Sequence, residues 1–151
     1  MKNRCQICLV GLILLTLVVG CVDRPGPDMK PVVPVHGRVL VKDQPAVGAV
    51  VMFHPLPLEV GRFDTIRSRG TADADGRFQL TTYNTNDGAP EGKYAVTVYW
   101  PGKRTSRPDP NDENSDLPPD QLGLRYNDPA KTSLNVIVQG PATQLKTMEL
   151  Q

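Results

Sequence analysis

The sequence contains few of the residues that cross-link a chain or catalyse reactions. Its three cysteines are Cys5, Cys8 and Cys21, so no disulfide can form within the part of the chain beyond Cys21. It has two histidines, His36 and His54. Hydrolysis by a catalytic triad needs a nucleophile, a base and an orienting group, and a zinc site needs three or four ligands. A sequence this short of histidine and cysteine argues against both kinds of site.

An excess of charge of either sign is also missing. Lysine and arginine total 17, and aspartate and glutamate total 16. A nearly balanced chain has no overall field that would attract a polyanion, so nucleic acid is not expected as a partner. The sequence has no G-x-G-x-x-G loop to cradle a phosphate and no G-x-S-x-G nucleophile elbow. We therefore expect neither enzyme activity nor a cofactor.

The sequence does contain one long apolar run, near its start. Lys2 and Arg4 form a short basic region ahead of the apolar residues Ile7 to Val19. The run is too short to span a bilayer comfortably. A basic start, a run of this length and small residues at its end are typical of a secretory signal. The alternative interpretation is an uncleaved membrane anchor formed by the same residues.

The apolar run ends in Val18-Val19-Gly20-Cys21, which resembles the lipobox of bacterial lipoproteins. By this resemblance residues 1–20 are a signal peptide, and Cys21 receives a diacylglycerol on its sulfur and an acyl chain such as palmitate on its new amino terminus. Two or three acyl chains anchor a protein stably, whereas one is marginal. The expected location is therefore the cell envelope, outside the cytoplasm, with the membrane as a partner through Cys21.

The mature chain is expected to start with a spacer, residues 21–34, and to continue as one domain, residues 35–151. The spacer carries four prolines and no periodicity, which predicts an extended, semi-rigid tether. A second proline-rich segment, residues 101–120, is polar and has mixed charge. Disorder is the preferred interpretation of that segment, and a functional loop is the alternative.

The domain shows strand signals and no sustained helical periodicity. Its turns include Asp73-Ala74-Asp75-Gly76, and Asp-Gly is a strong hairpin signal because it tolerates positive φ. D-x-D-G also occurs in EF-hand loops, but the twelfth position here is Asn84 instead of the required Glu, so a turn is preferred. Seven strands are predicted, at residues 35–41, 49–54, 68–72, 77–82, 94–100, 134–138 and 143–150. This spacing predicts an all-β fold, an antiparallel seven-strand β-sandwich.

The first two predicted strands are close enough in sequence to form a hairpin. If Val41 lies opposite Ala49, the same register places His36 opposite His54. Two imidazoles can begin a zinc or copper site, but no further ligand is obvious beside them. Two solvent-facing histidines near a sheet end are the preferred interpretation, and metal binding is the weaker alternative.

Aromatic residues supply the candidate binding surface. Alternation along residues 94–100 places Tyr94 and Trp100 on the core side of that strand and Tyr99 on the opposite side. Exposed tyrosine and tryptophan can stack on sugar rings or anchor a protein partner. The candidate ligand-binding residues are therefore Tyr99, Trp100 and Tyr126.

Several motifs of the domain resemble those of carboxypeptidase regulatory-like domains. They are Val35-His36-Gly37-Arg38-Val39, the turn with Pro45 before Gly48 to Phe53, Thr71 to Phe78, and Pro90 to Val98. The resemblance implies a transthyretin-like (prealbumin-like) β-sandwich over about residues 35–150. It also implies a non-catalytic accessory or surface role, and it assigns no catalytic residue.

Together these features predict a membrane-anchored envelope lipoprotein that serves as a structural or protein-interaction module. The alternative from another functional class is a carbohydrate-binding module on the same sandwich. An exposed, coplanar pair among the three candidate aromatic residues would favour a sugar ligand, because flat rings stack on sugar faces. Burial of all three would favour an envelope protein as the partner.

Overall fold

A computed structural model describes residues 29–58, 66–103 and 117–151. These ranges contain strands and turns but no helix, so none of their segments is a helix long and apolar enough to cross a membrane. The predicted signal peptide, the lipidation site Cys21 and the middle of the 101–120 segment lie outside the described residues. The all-β class predicted from the sequence is confirmed for the part of the chain that the structure describes.

The strands are short, and each predicted strand has an observed counterpart. The seven predictions become eight strands because the last one divides into two, and three two-residue strands were not predicted. The strands are β1 (Val32–Val33), β2 (Val35–Val41), β3 (Gln44–Pro45), β4 (Val50–Pro55), β5 (Ser68–Thr71), β6 (Arg77–Gln79), β7 (Ala89–Pro90), β8 (Gly92–Tyr99), β9 (Asn135–Val138), β10 (Thr143–Gln144) and β11 (Met148–Leu150).

Most of these strands belong to two sheets. The first is antiparallel, with the order β5-β4-β8-β9. The second is built around β2, which pairs antiparallel with β3 and β6 and parallel with β10 and β11. The prediction of an entirely antiparallel sandwich is therefore wrong, because the second sheet contains two parallel pairs. The C-terminal strands follow β9, which lies in the first sheet, and the crossing brings them to β2 in the same direction as β2.

The predicted hairpin between the first two long strands is wrong. Two residues with positive φ, Lys42 (48°) and Asp43 (64°), turn β2 directly into the short strand β3. This is the conformation of a type I′ hairpin turn. After β3 the chain crosses to the first sheet, where β4 pairs with β5 and β8. Consequently β2 and β4 lie in different sheets and share no ladder.

Both sheets contribute side chains to one apolar core, which gives a sandwich-like arrangement. Val51 and Phe53 of β4 are fully buried, as is Val39 of β2 in the other sheet. The Phe53 and Tyr94 rings pack at a centroid distance of 5.5 Å with 47° between their planes, a tilted geometry favoured by the ring quadrupoles. Burying a large apolar side chain contributes about 1.5–3 kcal/mol, so this shared core holds the two sheets together.

The Asp73–Gly76 turn links the two sheets to each other. The Asp73 N–H donates to the Arg77 carbonyl at 2.8 Å, and Gly76 takes the positive φ of 75° that the turn requires. The turn is present as predicted, but its two arms separate: β5 joins the first sheet and β6 pairs with β2. One isolated bridge, Arg69 to Thr81, still joins the arms. A groove opens where they part.

Candidate functional site

The three aromatic candidates are half-buried and tied to neighbouring backbone. The Tyr99 hydroxyl donates to the Pro118 carbonyl, and the Trp100 indole N–H donates to the Val47 carbonyl at 3.0 Å. The Tyr126 hydroxyl accepts from the Gln151 N–H at 3.4 Å.

Their burial lies between the two outcomes expected from the sequence. Trp100 and Tyr126 pack against the core, and Phe53 with Tyr94 is the aromatic ring pair within the described ranges. No coplanar pair is formed among Tyr99, Trp100 and Tyr126 in that part of the chain. The coplanar pair that would have favoured a sugar ligand at these residues is therefore not present in the described part of the chain.

The two histidines lie in different sheets, so the prediction that they are cross-strand neighbours is wrong. His36 lies on β2 opposite Gln79. His54 lies on β4, is 9% exposed and shares a 2.9 Å hydrogen bond between its Nε2 and the Thr97 Oγ1. The prediction of a solvent-facing side chain is therefore wrong for His54. Burial, aided by the charge of Arg67, lowers its pKa. In the described residues no group of three or more His, Cys, Asp or Glu side chains is placed to hold a metal.

Carboxylates that might have served as acids, bases or ligands instead cap turns. The Asp73 Oδ1 accepts from the N–H groups of Asp75 and Arg77, both at 2.9 Å. The Asp120 carboxylate accepts from Trp100, Leu122 and Leu124 at 2.9–3.1 Å. Such carboxylate-to-backbone bonds fix local conformation, so these groups have a structural role.

Asp87 caps a third turn, the one that follows β6. Its Oδ1 accepts from the Thr82 N–H at 2.7 Å, and its Oδ2 accepts from Tyr83 and Asn84 at 3.0 and 2.8 Å. Partial burial by itself would raise the pKa of this carboxyl, but the backbone donors outweigh burial and lower it. The turn ends at Gly88, whose N–H donates to the Leu80 carbonyl at 2.9 Å.

A groove of about 890 Å³ lies where β5 and β6 part. Its walls come from β2, β5, β6 and the C-terminal segment, and most of its lining is polar. Positive charge dominates, because Arg38, Arg69 and Arg77 line it, while Asp73 is its single acidic lining residue among those described. The chain as a whole has nearly balanced charge, but the fold places three arginines on one surface.

Two of these arginines are direct neighbours across a ladder. Arg38 of β2 lies opposite Arg77 of β6, and both lie on the outward face of the sheet. Asp75 compensates this charge in part. Its carbonyl accepts from the Arg38 Nε at 2.9 Å, and its carboxylate lies 3.8 Å from an Arg77 guanidinium nitrogen. Since the Asp75 and Arg77 side chains are each 69% exposed, that ion pair contributes little.

Sequence reasoning missed the groove, although alternation does place Arg38 and Arg77 on outward faces. The missing information was the partner of β2. The predicted hairpin paired β2 with β4, and that incorrect pairing places Arg38 beside Met52 instead of Arg77. The available signal was the Lys42-Asp43 dipeptide, which closes β2 against β3 and leaves the rest of that edge for β6.

Comparisons with known proteins give little further information. No protein-family model matches the chain, and the curated proteins contain no match to it. Among solved structures the chain is similar to a 9R-lipoxygenase from Cyanothece PCC8801, with 13% identity and a TM-score of 0.39. The match covers 80% of this chain and 16% of the lipoxygenase chain. A similarity this low supports no argument about fold or activity.

Proposed function

We propose that this chain is a non-catalytic lipoprotein of the cell envelope, anchored through Cys21, whose β domain serves as a binding module. The lipobox-like end of the apolar N-terminal run supports the anchor. The two-sheet arrangement around a common core supports a sandwich of the transthyretin-like, carboxypeptidase regulatory-like type. In that assignment the V-x-G-x-V motif forms β2, and the Asp73–Gly76 motif forms the turn between the sheets.

The observation that carries the binding role is the groove between β5 and β6. Ligand sites are concave, usually preformed, and typically about 300–1,000 Å³ in volume. At about 890 Å³ this groove lies in that range. Its walls are ladder strands and a turn capped by Asp73, so its polar side chains project from a fixed frame. A binding role uses this frame without requiring a nucleophile or a metal.

Metabolic labelling tests the anchor. Native cells grown with an alkyne analogue of palmitate should label the wild-type chain, which should fractionate with membranes. Cys21→Ser should lose both the label and the membrane association, because the sulfur that accepts the lipid is gone. Cys8→Ser is the matched control and should keep both, since it removes a cysteine from the predicted signal peptide. Labelling of Cys21→Ser, or an unlabelled wild-type chain, would contradict the proposed anchor.

A further inference from the structure

The arrangement of Arg38 opposite Arg77 is unfavourable for the isolated protein. Like charges directly opposite each other in an antiparallel pair destabilise it. The Asp75 carboxylate relieves this repulsion weakly, because it lies 3.8 Å from Arg77 in an exposed position. Arg69 adds a third positive charge to the same groove from β5. A bound anion would convert this repulsion into attraction.

One hydrogen bond already restrains the Arg38 side chain, which lines the groove. Its Nε donates to the Asp75 carbonyl at 2.9 Å, which holds the side chain against the turn. The two terminal nitrogens of a guanidinium form a planar fork that matches a carboxylate or sulfate with two parallel hydrogen bonds. An arginine fixed in this way loses less conformational entropy on binding than a mobile one.

The other residues of the lining indicate what kind of molecule carries the anionic group. Beside the arginines stand neutral hydrogen-bonding side chains: Thr71, Gln79, Thr81, Asn86, Gln144 and Thr147. Phe78 is the aromatic residue of the lining, and it is 3% exposed. The walls therefore suit a ligand with many hydroxyl groups, and they suit poorly an apolar peptide or a neutral sugar that needs a stacking ring. A volume of about 890 Å³ also exceeds what a single inorganic ion occupies.

We infer that this groove binds an acidic oligosaccharide, a sugar chain that carries carboxylate or sulfate groups. The guanidinium groups of Arg38, Arg69 and Arg77 bind the anionic groups, and the amide and hydroxyl side chains bind the sugar hydroxyls. The inference rests on the proposed role as a binding module and gives that role a ligand class. It places the ligand away from Tyr99, Trp100 and Tyr126, none of which lines the groove.

Isothermal titration of the full-length chain in neutral detergent tests this inference. The probes are tetragalacturonate, the neutral tetrasaccharide made by reducing its carboxyl groups, glycerol 1-phosphate and inorganic phosphate. Tetragalacturonate should bind, and the neutral tetrasaccharide should bind at least tenfold more weakly, because hydrogen bonds to charged groups contribute about 1.5–3 kcal/mol. Failure of tetragalacturonate to bind, or equal binding of the neutral sugar, would overturn the inference.

The two phosphate probes separate the sugar from other sources of anionic groups. Both should bind at least tenfold more weakly than tetragalacturonate, because they lack the hydroxyl groups that the neutral side chains would bind. Equal or tighter binding of glycerol 1-phosphate would assign the groove to lipid headgroups, and equal or tighter binding of inorganic phosphate would assign it to a free ion. Either outcome would overturn the oligosaccharide.

Charge-removing variants locate the site. Arg38→Gln and Arg69→Gln should each weaken tetragalacturonate binding about tenfold, since each removes a charged hydrogen-bond donor. Lys93→Gln is the matched control, because it removes an exposed positive charge from β8, outside the groove, and should change the affinity less than twofold. Equal losses in all three variants would indicate non-specific attraction and contradict a built site. Thermal unfolding of each variant confirms that it is folded.

The two proposals fail separately. A chain that carries lipid at Cys21 but does not bind tetragalacturonate would refute the ligand and leave the envelope anchor in place. A chain that binds tetragalacturonate through Arg38 but carries no lipid would refute the anchor and leave the groove in place.

Discussion

Removing the charge of Asp87 should destabilise the fold by an amount that its contacts set. The carboxylate accepts three backbone N–H groups, from Thr82 through Oδ1 and from Tyr83 and Asn84 through Oδ2. Asp87→Asn keeps one acceptor oxygen and turns the other into an NH₂ donor, which then faces at least one backbone N–H. A hydrogen bond to a charged group contributes about 1.5–3 kcal/mol. We therefore expect a loss of about 1.5–3 kcal/mol, close to one bond, because the remaining oxygen can keep the others.

The assay is thermal unfolding followed by circular dichroism at pH 7. For a domain of this size the expected loss corresponds to a decrease in Tm of roughly 5–12 °C. Asp43→Asn is the matched control: Asp43 is exposed on a turn with a positive φ of 64°, and asparagine tolerates that conformation. The control should shift the Tm by less than about 2 °C. Equal shifts in the two variants would show that the Asp87 bonds do not hold the turn.

The stability difference between the wild type and Asp87→Asn should become smaller as the pH falls. The backbone donors lower the pKa of Asp87 in the folded state, so the folded protein binds fewer protons at this site than the unfolded chain. This contribution to stability is fully present above the unfolded value, near pH 4, and is lost as the pH falls through the folded pKa. The wild type and Asp87→Asn should therefore converge in stability as the pH falls below about 4, and a constant difference would refute the reasoning.

Two further substitutions test other parts of the fold. Gly88 has a φ of 103°, and a Cβ there would lie 1.8 Å from the Val33 carbonyl oxygen, so Gly88→Ala should destabilise by about 2–4 kcal/mol in urea unfolding. Gly123→Ala, with a φ of 61° and open space around it, is the control and should lose about 1–2 kcal/mol; equal losses would argue against the close approach of Gly88 to Val33. Burial and Arg67 lower the pKa of His54, so the unfolded chain protonates first and stability falls as the pH drops below about 6.5. His54→Gln should reduce that loss between pH 7 and pH 5, and an unchanged pH slope would contradict it.

The sequence predicted the strands better than their partners. Alternation located β2 without error and placed the other long strands within a few residues, because one buried face leaves a period-two pattern. Pairing depends on contacts that are distant along the chain. The Lys42-Asp43 turn diverted β2 from β4, and the C-terminal residues paired with a strand more than a hundred residues earlier. Neither partner is encoded in a local pattern.

The candidate site was also not predictable from local patterns alone. Tyr99, Trp100 and Tyr126 were prominent because aromatic residues are few, yet their polar atoms bond to nearby backbone. The groove arginines were ordinary surface residues until β2 and β6 were paired. His54 was expected at the surface, but β4 is covered on both faces at that position. Local pattern identifies which residues face outward, and the topology decides which of them lie side by side.

The most direct test of the groove is an NMR titration that follows arginine Nε–H and tryptophan indole N–H signals together. Adding tetragalacturonate to the full-length chain should shift the signals of Arg38, Arg69 and Arg77, because their guanidinium groups would bind the carboxylates. The indole signal of Trp100 should stay in place, since this N–H is already bonded to the Val47 carbonyl outside the groove. Shifts centred on Trp100, with the three arginine signals unchanged, would contradict the groove as the binding site.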